Sequence, residues 1–432
     1  MLLKNATIIT MDDSNPVIYN GYIATKGNQI TLVSGQLTER ETAYGEVIDA
    51  KGKIVMPGLC NAHSHVAMTL LRGYAEGYAL QDWLFTKIFP IEDQLEPEDI
   101  YWGTMLGIAE MMRTGTTLVN DCYYFMDRAI AAYAETGFNA NISRGLMNDQ
   151  IQEDYSDDYR LNEMIALFQS YNGKYDDRIR VECFPHAIYT CSPQYFRYIA
   201  KVADQYGIPV ASHISENETE NRECIEKYGK TPVQVYAESG LFDRPVNIAH
   251  GVWLTDEDLK IVRASGSTVT HNPTSNLKLG SGIANIQKYS SMGIPIALGT
   301  DGCSSNNNLN LFEEMHLAAL LLAGTNDPSL VKPFEILKYA TVNGAKAMKR
   351  ERKGILKEGY DADFIMVNNE EPYYYPHHDP VNNILYTAQG TDVCLTVIGG
   401  KTVYRNGEYQ SLDIEKVKAE IMQRKARLFQ SQ

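Results

Sequence analysis

The feature that most constrains the fold is a regular alternation of short apolar runs with helical patterns through the middle of the chain. The apolar runs are rich in β-branched residues, so the alternation predicts βα units. Eight strands are predicted, at residues 54–60, 116–121, 138–144, 179–186, 209–214, 246–250, 267–271 and 295–300. Eight such units match an α/β fold, the (β/α)8 TIM barrel. An open doubly wound sheet would alternate similarly, but its GxGxxG pattern after a first strand is absent.

Both ends of the chain differ from the middle. They alternate polar and apolar side chains between Gly and Asn breaks, which is typical of antiparallel strands. The strands predicted there lie at residues 2–10, 21–34, 47–56, 362–367 and 393–405. An amphipathic helix is predicted at 413–429. We therefore predict a small β-sandwich domain built from residues 1–56 and 351–432, with the barrel formed by residues 57–350.

Composition and charge narrow the class of protein. The chain has 432 residues, is 44% hydrophobic and carries a formal net charge of -15, which is typical of an acidic globular protein. Such a surface repels nucleic acids and anionic membranes, and no apolar run reaches the ~20 residues of a membrane span. The N-terminus does not resemble a signal peptide. Seven scattered cysteines without CxxC pairs favour a reduced, cytoplasmic protein.

Side chains that bind metals or move protons stand at the ends of four predicted strands. These side chains are His63 and His65 after the first strand, His213 and Glu216 after the fifth, His250 at the end of the sixth and Asp301 at the end of the eighth. Each alone also suits a core histidine, a surface carboxylate or a helix cap. Together they predict one site, because TIM-barrel enzymes place their active sites at the carboxyl ends of the strands.

Three imidazoles and one carboxylate form a ligand set that suits Zn²⁺ or a similar divalent ion. We predict that one such ion is bound by His63, His65, His213 and Asp301, with one position left for water. His250 is then placed to hold that water. The fourth strand ends in Phe-Pro-His and contains no lysine. A carbamylated lysine that would bridge a second metal ion therefore has no candidate there.

Four longer stretches carry a family resemblance. They read PGLCNAHSHVAMTLLRGYAEGYALQDWL, SHISENETE, THNPTSNLKLGSGIA and LGTDGCSSNNNLNLFEEM. Together they resemble the methylthioadenosine/S-adenosylhomocysteine deaminases of the amidohydrolase superfamily, and the resemblance runs nearly from end to end. It implies hydrolytic, metal-dependent deamination of adenosine-type thioethers to an inosyl product and ammonia. The substrate would be a small nucleoside, and the superfamily resemblance favours a homo-oligomer.

The resemblance also implies roles for individual residues. The family's metal ligands fall on the four residues predicted above, its proton-shuttling carboxylate on Glu216 and its hydroxide-orienting imidazole on His250. In the chemistry that follows, Asp301 would take the proton released as water is activated. The substrate-binding positions of the family match Trp83 for the purine, Glu92 for the ribose hydroxyls, Arg144 and Arg160, and His186 at the fourth strand.

Several alternatives remain open at this point. The same site chemistry would serve another ring, either deaminating guanine or a pterin or removing chloride from an s-triazine. A barrel kept as a non-catalytic scaffold is a further alternative, although such proteins normally lose metal ligands and every expected ligand is present. Trp83 suits core packing as well as purine stacking, and Arg144 suits a structural ion pair as well as a substrate carboxylate.

Overall fold

The computed structural model describes residues 1–325 and 327–429. The strands of these residues are β1 Leu2–Ile9, β2 Val17–Lys26, β3 Gln29–Ser34, β4 Val47–Asp49, β5 Ile54–Pro57, β6 Leu59–Ser64, β7 Thr116–Tyr123, β8 Asn139–Leu146, β9 Ile179–Pro185, β10 Val210–Ile214, β11 Val246–His250, β12 Thr268–His271, β13 Ile296–Leu298, β14 Phe364–Val367, β15 Val393–Ile398, β16 Lys401–Arg405 and β17 Glu408–Tyr409. They form two sheets, one from the middle of the chain and one from its two ends.

Helices connect most of the barrel strands. Their bounds are α1 Leu80–Trp83, α2 Phe89–Glu92, α3 Pro97–Arg113, α4 Met126–Thr136, α5 Tyr159–Tyr171, α6 Lys174–Asp177, α7 Pro193–Tyr206, α8 Glu218–Tyr228, α9 Pro232–Glu238, α10 Asp256–Ala264, α11 Pro273–Lys278, α12 Ile286–Ser291, α13 Leu311–Thr325, α14 Pro333–Tyr339, α15 Val342–Ala347, α16 Pro380–Tyr386 and α17 Ile414–Leu428. None of the described helices is long and apolar enough to cross a membrane.

Strands β6 to β13 pair in chain order into one parallel sheet. Side chains link its first and last strands, because Asn61 Nδ2 donates to Thr300 Oγ1 at 2.7 Å and Asn61 Oδ1 accepts from the Thr300 amide at 3.1 Å. Beside them, the amide of Asp301 donates to the carbonyl of His63 at 3.0 Å. The sheet therefore closes almost completely on itself, and the predicted (β/α)8 barrel is confirmed.

Helix α7 illustrates how the local sequence sets the barrel's outer layer. Ser192 caps it, since the serine Oγ accepts from the amide of Tyr195 at 3.1 Å, and Gly207 ends it with a left-handed φ of 66°. Phe196 and Ile199 lie on its buried face, three residues apart, and pack in the main apolar core. Strands β7 and β8 are buried at every position, as expected of parallel strands covered on both faces.

The second sheet joins the two ends of the chain. Its order is β17-β16-β15-β14-β5-β1-β2-β3, with β4 paired to β1, and most neighbours are antiparallel. The exceptions are β4 and β5, which run parallel to β1. Leu3, Ile23, Phe364 and Val397 lie in a separate apolar cluster in this sheet. The predicted second sheet from both chain ends is thus confirmed.

The prediction of one strand at residues 54–60 was wrong. Residues 54–57 form β5 of the second sheet, and the barrel strand β6 begins only at Leu59. Gly58 connects the two strands. A Cβ at this position would overlap the side chain of Thr117, so only glycine fits where the chain passes from one sheet to the other. The barrel strand β6 ends at Ser64, so His63 lies within the strand and not after it.

Candidate active site

The carboxyl ends of the barrel strands bring five predicted side chains together. His63 and His65 come from the end of β6, His213 from β10, His250 from β11 and Asp301 from the segment after β13. Asp301 Oδ1 lies 3.4 Å from His63 Nε2 and 3.3 Å from His65 Nε2. Nε2 of His65 lies 3.3 Å from Nε2 of His213. Residues far apart in the sequence therefore converge on one point of the barrel mouth.

These side chains fit a divalent metal ion. The candidate ligand atoms of His63, His65 and His213 lie within 4.8 Å of one another, as do those of His63, His250 and Asp301. Nε2 of His63 is buried and has no hydrogen-bond partner. Its lone pair is therefore available to a bound cation. Burial lowers the pKa of His63 to about 4 and that of His213 well below its ordinary value. Both rings are therefore neutral, the form that coordinates metals.

Neighbouring groups orient the ligand atoms toward this point. The Nδ1–H of His65 donates to the carbonyl of Cys122 at 2.6 Å, and the Nδ1–H of His213 donates to the carbonyl of His186 at 3.1 Å. Both rings consequently direct the lone pair of Nε2 at the site. Asp301 is held in the same way, since its Oδ2 accepts from the hydroxyls of Ser275 and Ser305 at 2.6 and 2.9 Å. Its Oδ1 remains turned to the histidines.

A protonatable carboxyl group stands beside the metal-binding group. Glu216 is 3% exposed, and its Oε2 lies 3.7 Å from Nε2 of His250. Burial raises the pKa of Glu216 well above its ordinary value, and the charge of Asp301 raises it further. The turn that carries it is fixed by Glu220, whose carboxylate accepts from the amides of Ser215 and Glu216 at 3.2 and 2.7 Å. Such a group can hold a proton near neutral pH and transfer it.

Three residues of the site have backbones in the left-handed region. The φ angles are 54° at Ser215, 72° at His250 and 60° at Asp301, values that are uncommon outside glycine. Each follows or ends a barrel strand, and the hydrogen bonds of the neighbouring strands hold it there. Backbone strain of this kind concentrates at functional sites, where it fixes a side chain in a required direction.

A cavity opens beside these groups. Aromatic and aliphatic side chains make up much of its wall, and a few polar groups converge on it, as in small-molecule sites. Its wall includes His65, His213, Glu216, His250 and Asp301 together with three residues that the sequence predicts to bind substrate, namely Trp83, Glu92 and His186.

Residues 54–403 match the model of the Amidohydrolase family. The chain belongs to the amidohydrolase family. This amidohydrolase is 42% identical over 421 residues to a 5-methylthioadenosine/S-adenosylhomocysteine deaminase from Acetivibrio thermocellus, with 97% of each chain covered. It is 40% identical over 418 residues to a 5'-deoxyadenosine deaminase from Methanosarcina acetivorans, covering 96% of this chain and 95% of the relative. It is also similar to the solved structure of an adenosine deaminase from Xanthomonas campestris with bound zinc, at a TM-score of 0.92 and 31% identity over 99% and 98% of the two chains.

The wall of the amidohydrolase cavity contains a buried carboxylate held by two tyrosines. The hydroxyl of Tyr123 donates to Glu92 Oε1 at 2.6 Å, and that of Tyr124 donates to Oε2 at 3.1 Å. Burial raises the pKa of Glu92, and the two tyrosine bonds act in the opposite direction. Sequence reasoning missed both tyrosines. The signal available was their position at the carboxyl end of β7, which is where barrel enzymes place functional residues.

Trp83 lines the cavity and packs in the apolar core at the same time. It is 5% exposed, and its Nε1 has no hydrogen-bond partner among the described residues. A π-helical turn at Leu84–Ile88 follows it and leads to Glu92. Such turns often occur at functional sites, where they redirect side chains. His186 is half-buried at the wall, and its Nδ1 contacts Thr190 Oγ1 at 2.9 Å.

The structure does not bring Arg144 and Arg160 to the cavity. Nε of Arg144 donates to Glu163 Oε2 at 2.9 Å, its Nη1 donates to the carbonyl of Gly145 at 2.8 Å, and its guanidinium lies 4.9 Å from the centre of the Tyr124 ring. Arg160 lies over the ring of Tyr159 at 4.5 Å. Among the residues that the structure describes, no lysine or arginine lines the cavity. Arg144 thus forms a structural ion pair with Glu163, which was one of the two roles that the sequence left open for it.

Proposed function

We propose that this amidohydrolase deaminates adenosine-type thioethers, S-adenosylhomocysteine and 5'-methylthioadenosine, by metal-dependent hydrolysis to the inosyl product and ammonia. One observation carries the proposal, namely a buried carboxyl group with a raised pKa, Glu216, beside a metal-binding group in the wall of one cavity. Hydrolytic deamination of an aromatic ring needs both a proton donor and an activated water in one enclosed space. The names of the relatives support the adenosine-type ring.

His63, His65, His213 and Asp301 would hold one divalent metal ion, for which we propose Zn²⁺. When bound, such an ion lowers the pKa of water toward ~7 and so supplies a nucleophile at neutral pH. The bound zinc of the Xanthomonas campestris protein supports the choice of metal. The two groups of candidate ligand atoms share His63 and so lie at one place, and no lysine stands at the end of β9, which supports one ion over two.

Proton transfers by two carboxyl groups would make the amino group leave. Glu216 would give its proton to the ring nitrogen beside the carbon that bears the amino group, so that this carbon accepts the oxygen of water. Asp301 would take the proton that the water loses, and Nε2 of His250 would orient that water. Return of a proton to the amino group then breaks the carbon–nitrogen bond, ammonia departs and a carbonyl forms. Nucleobase deaminases of an unrelated zinc fold use a carboxylate that is not a ligand in the same way.

Substrate binding would use the cavity wall. The two carboxylate oxygens of Glu92 would accept hydrogen bonds from the vicinal hydroxyls of a ribose. Trp83 and His186 also line the cavity, and they would contact the purine and the sugar, respectively. We propose that Arg144 binds the carboxylate of a homocysteine tail and that Arg160 is a second substrate-binding arginine. That role requires Arg144 to leave Glu163 when such a substrate enters.

We further infer that the protein works in the cytoplasm, as a homo-oligomer, and without nucleic-acid partners. All seven cysteines are unpaired and six are buried, which supports a reducing compartment. The net charge of -15 opposes binding to nucleic acids. Light scattering during gel filtration would measure the oligomeric state.

One assay decides the function. Zinc-loaded protein is incubated with S-adenosylhomocysteine, 5'-methylthioadenosine, 5'-deoxyadenosine, adenosine, guanine, a pterin and a chloro-s-triazine, and ammonia, chloride and the ultraviolet spectrum are followed. We expect ammonia release with a blue shift from the adenine nucleosides. Turnover of guanine, the pterin or the triazine alone would establish one of the rival substrates. No turnover of any compound by metal-replete, folded protein would favour the non-catalytic scaffold.

A further inference from the structure

We infer that Asn276 is a positioning residue that fixes the tautomer of His250. This inference rests on the proposed function, in which Nε2 of His250 orients the attacking water. It assigns a role to the last residue of HNPTSN, a stretch that carries the family resemblance but supplies none of the predicted ligands or proton carriers.

His250 presents its two ring nitrogens to different surroundings. Its Nδ1 lies 2.8 Å from Oδ1 of Asn276, and Nδ2 of Asn272 is 3.4 Å from the same nitrogen. Its Nε2 faces Glu216 Oε2 at 3.7 Å. The three contacts differ in length, and the one to Asn276 alone has the distance of a good hydrogen bond.

The short contact decides where the ring proton sits. An amide oxygen only accepts hydrogen bonds, so Nδ1 of His250 must be the donor to Asn276. The neutral ring then carries a lone pair on Nε2, the nitrogen that faces the site. A lone pair there accepts a hydrogen bond from water and leaves the oxygen lone pairs of that water free to attack. The opposite tautomer would donate to the water oxygen and occupy a lone pair that the attack needs.

A neighbouring group favours the opposite tautomer. The amide of Asn272 is a donor, and it can bond to Nδ1 only when that nitrogen carries no proton. This contact is longer than the contact to Asn276. The tautomer of His250 is therefore set by Asn276 against a competing neighbour, and loss of its oxygen should reverse it.

Helix α11 ties this control to the proposed proton acceptor. Ser275 and Asn276 are consecutive residues of this helix. The hydroxyl of Ser275 donates to Asp301, while the side chain of Asn276 accepts from His250. The helix is anchored on both sides of them, because the amide of Asn276 donates to the Asn272 carbonyl at 3.0 Å and its carbonyl accepts from the amide of Ser281 at 2.8 Å. One turn of backbone thus orients both groups that would handle the water.

The other half of the Asn276 amide makes no hydrogen bond. The residue is 1% exposed, and its Nδ2 is a buried donor without a partner. A buried unpaired donor costs stability, which a leucine of similar size would avoid. The side chain is therefore explained by its oxygen, and that oxygen contacts His250.

The first test measures the tautomer directly in the metal-free protein. Histidines are labelled with ¹⁵N, and the His250 signals are assigned by their loss in His250→Asn. We expect a protonated Nδ1 and an unprotonated Nε2 in mildly alkaline buffer. In Asn276→Leu we expect the reverse, and in Asn276→Asp the wild-type tautomer, because a carboxylate also accepts from Nδ1. A wild-type protein protonated at Nε2 would overturn the inference, whether or not the variants fold.

The second test compares kinetic constants of the zinc-loaded variants. Asn276→Leu should lower kcat for the adenine nucleoside roughly 10²-fold with KM unchanged, and Asn276→Asp should recover most of the loss. Asn120→Leu is the matched control, since Asn120 is equally buried and also half-bonded, through Nδ2 to Glu182. It should lower the melting temperature without changing kcat per folded molecule. Equal losses of kcat in the two leucine variants would contradict a positioning role.

The two tests also separate this inference from the proposed function. If the wild-type protein deaminates no adenine nucleoside, the proposed function fails, while the NMR measurement still shows which nitrogen of His250 carries the proton. If deamination occurs and His250 is protonated on Nε2, the function stands and the role of Asn276 fails.

Discussion

Nε2 of His65 and Nε2 of His213 face each other at 3.3 Å at the carboxyl end of the barrel. Each ring has its proton on Nδ1, where it donates to a backbone carbonyl. Two lone pairs at this distance repel each other unless a cation lies near both. The fold therefore holds the two rings in a geometry that a bound cation would make favourable.

Removal of the metal should consequently destabilise the protein as well as inactivate it. We expect dialysis against a chelator to abolish deamination and to lower the melting temperature, and Zn²⁺ to restore both. Calorimetry with and without zinc measures the shift. Asp301→Asn should reduce the bound zinc measured by elemental analysis, whereas a melting temperature that does not respond to zinc would argue against a metal site here.

Glu216→Gln should separate metal binding from catalysis. The amide cannot protonate a ring nitrogen, so kcat should fall by about 10²–10⁴-fold while the zinc content stays at the wild-type level. The folded protein should not be less stable, because burial already disfavours the charged form of this residue. Glu218→Gln is the control, since Glu218 is exposed two residues further along. Unchanged activity in Glu216→Gln would remove this residue from the mechanism.

The tyrosines that hold Glu92 should affect the ribose end of the substrate. Tyr123→Phe and Tyr124→Phe each remove one donor to the carboxylate and leave the ring packing in place. The loss from Tyr123→Phe should be the larger, because its bond is shorter, at 2.6 Å against 3.1 Å. Steady-state kinetics with adenosine and 2'-deoxyadenosine measure the effect. We expect kcat/KM to fall more for adenosine, and an equal fall for both nucleosides would contradict a role for Glu92 at the hydroxyls.

Stability should depend on pH through a buried carboxyl group outside the metal site. Burial raises the pKa of Glu314 to about 7, although the Thr274 amide and Asn306 Nδ2 both donate to its carboxylate. The folded state thus binds this proton more tightly than the unfolded state, whose pKa is near the ordinary 4.5. Its favourable contribution is complete below about pH 4.5 and is lost as the pH rises through about 7, on the order of 3 kcal/mol in all.

Urea unfolding of the wild-type protein and of Glu314→Gln, between acidic and neutral pH, tests this dependence. The difference in unfolding free energy between the two should shift against the wild type as the pH rises. Other titrating groups are common to both proteins and cancel in the difference. A difference that does not change with pH would show that Glu314 keeps the same charge throughout.

The sequence predicted those site residues that lie at the end of a strand or directly after it. His63 and His65 are two positions apart, so one extended segment carries both to the same side, and His250 and Asp301 are marked by the apolar runs that precede them. The register of β6 was not predictable. It depends on Gly58, where the chain passes the side chain of Thr117 to reach a different sheet, and that contact is more than fifty residues away in sequence.

Contacts between side chains from separate elements also escaped prediction. The bonds of Tyr123 and Tyr124 to Glu92 join the end of β7 to a helix before it, and Asn276 reaches His250 from the next βα unit. The sequence predicted roles for Glu92 and His250 but not for the tyrosines and the asparagine that contact them. Their partners are set by the tertiary fold, which a pattern of local periodicity does not contain.

Arg144 provides the sharpest test of which thioether the enzyme prefers. Its guanidinium is paired with Glu163 at 2.9 Å and stacked on Tyr124, whose ring lines the cavity. If Arg144 turns to bind the carboxylate of a homocysteine tail, Arg144→Met should lower kcat/KM for S-adenosylhomocysteine by about tenfold or more, the effect of losing one charge-assisted pair. The same variant should leave 5'-methylthioadenosine unaffected, because that substrate has no carboxylate.

Glu163→Gln supplies the complementary result. Weakening the ion pair frees the guanidinium, so the ratio of kcat/KM for S-adenosylhomocysteine to that for 5'-methylthioadenosine should rise above the wild-type ratio. Both substrates are measured on the same preparations, so differences in folding or zinc content cancel in the ratio. If Arg144→Met instead lowers both substrates equally, the arginine acts only by supporting Tyr124 and Glu163. No lysine or arginine of the described residues lines the cavity. The preferred substrate would then be 5'-methylthioadenosine, which has no carboxylate.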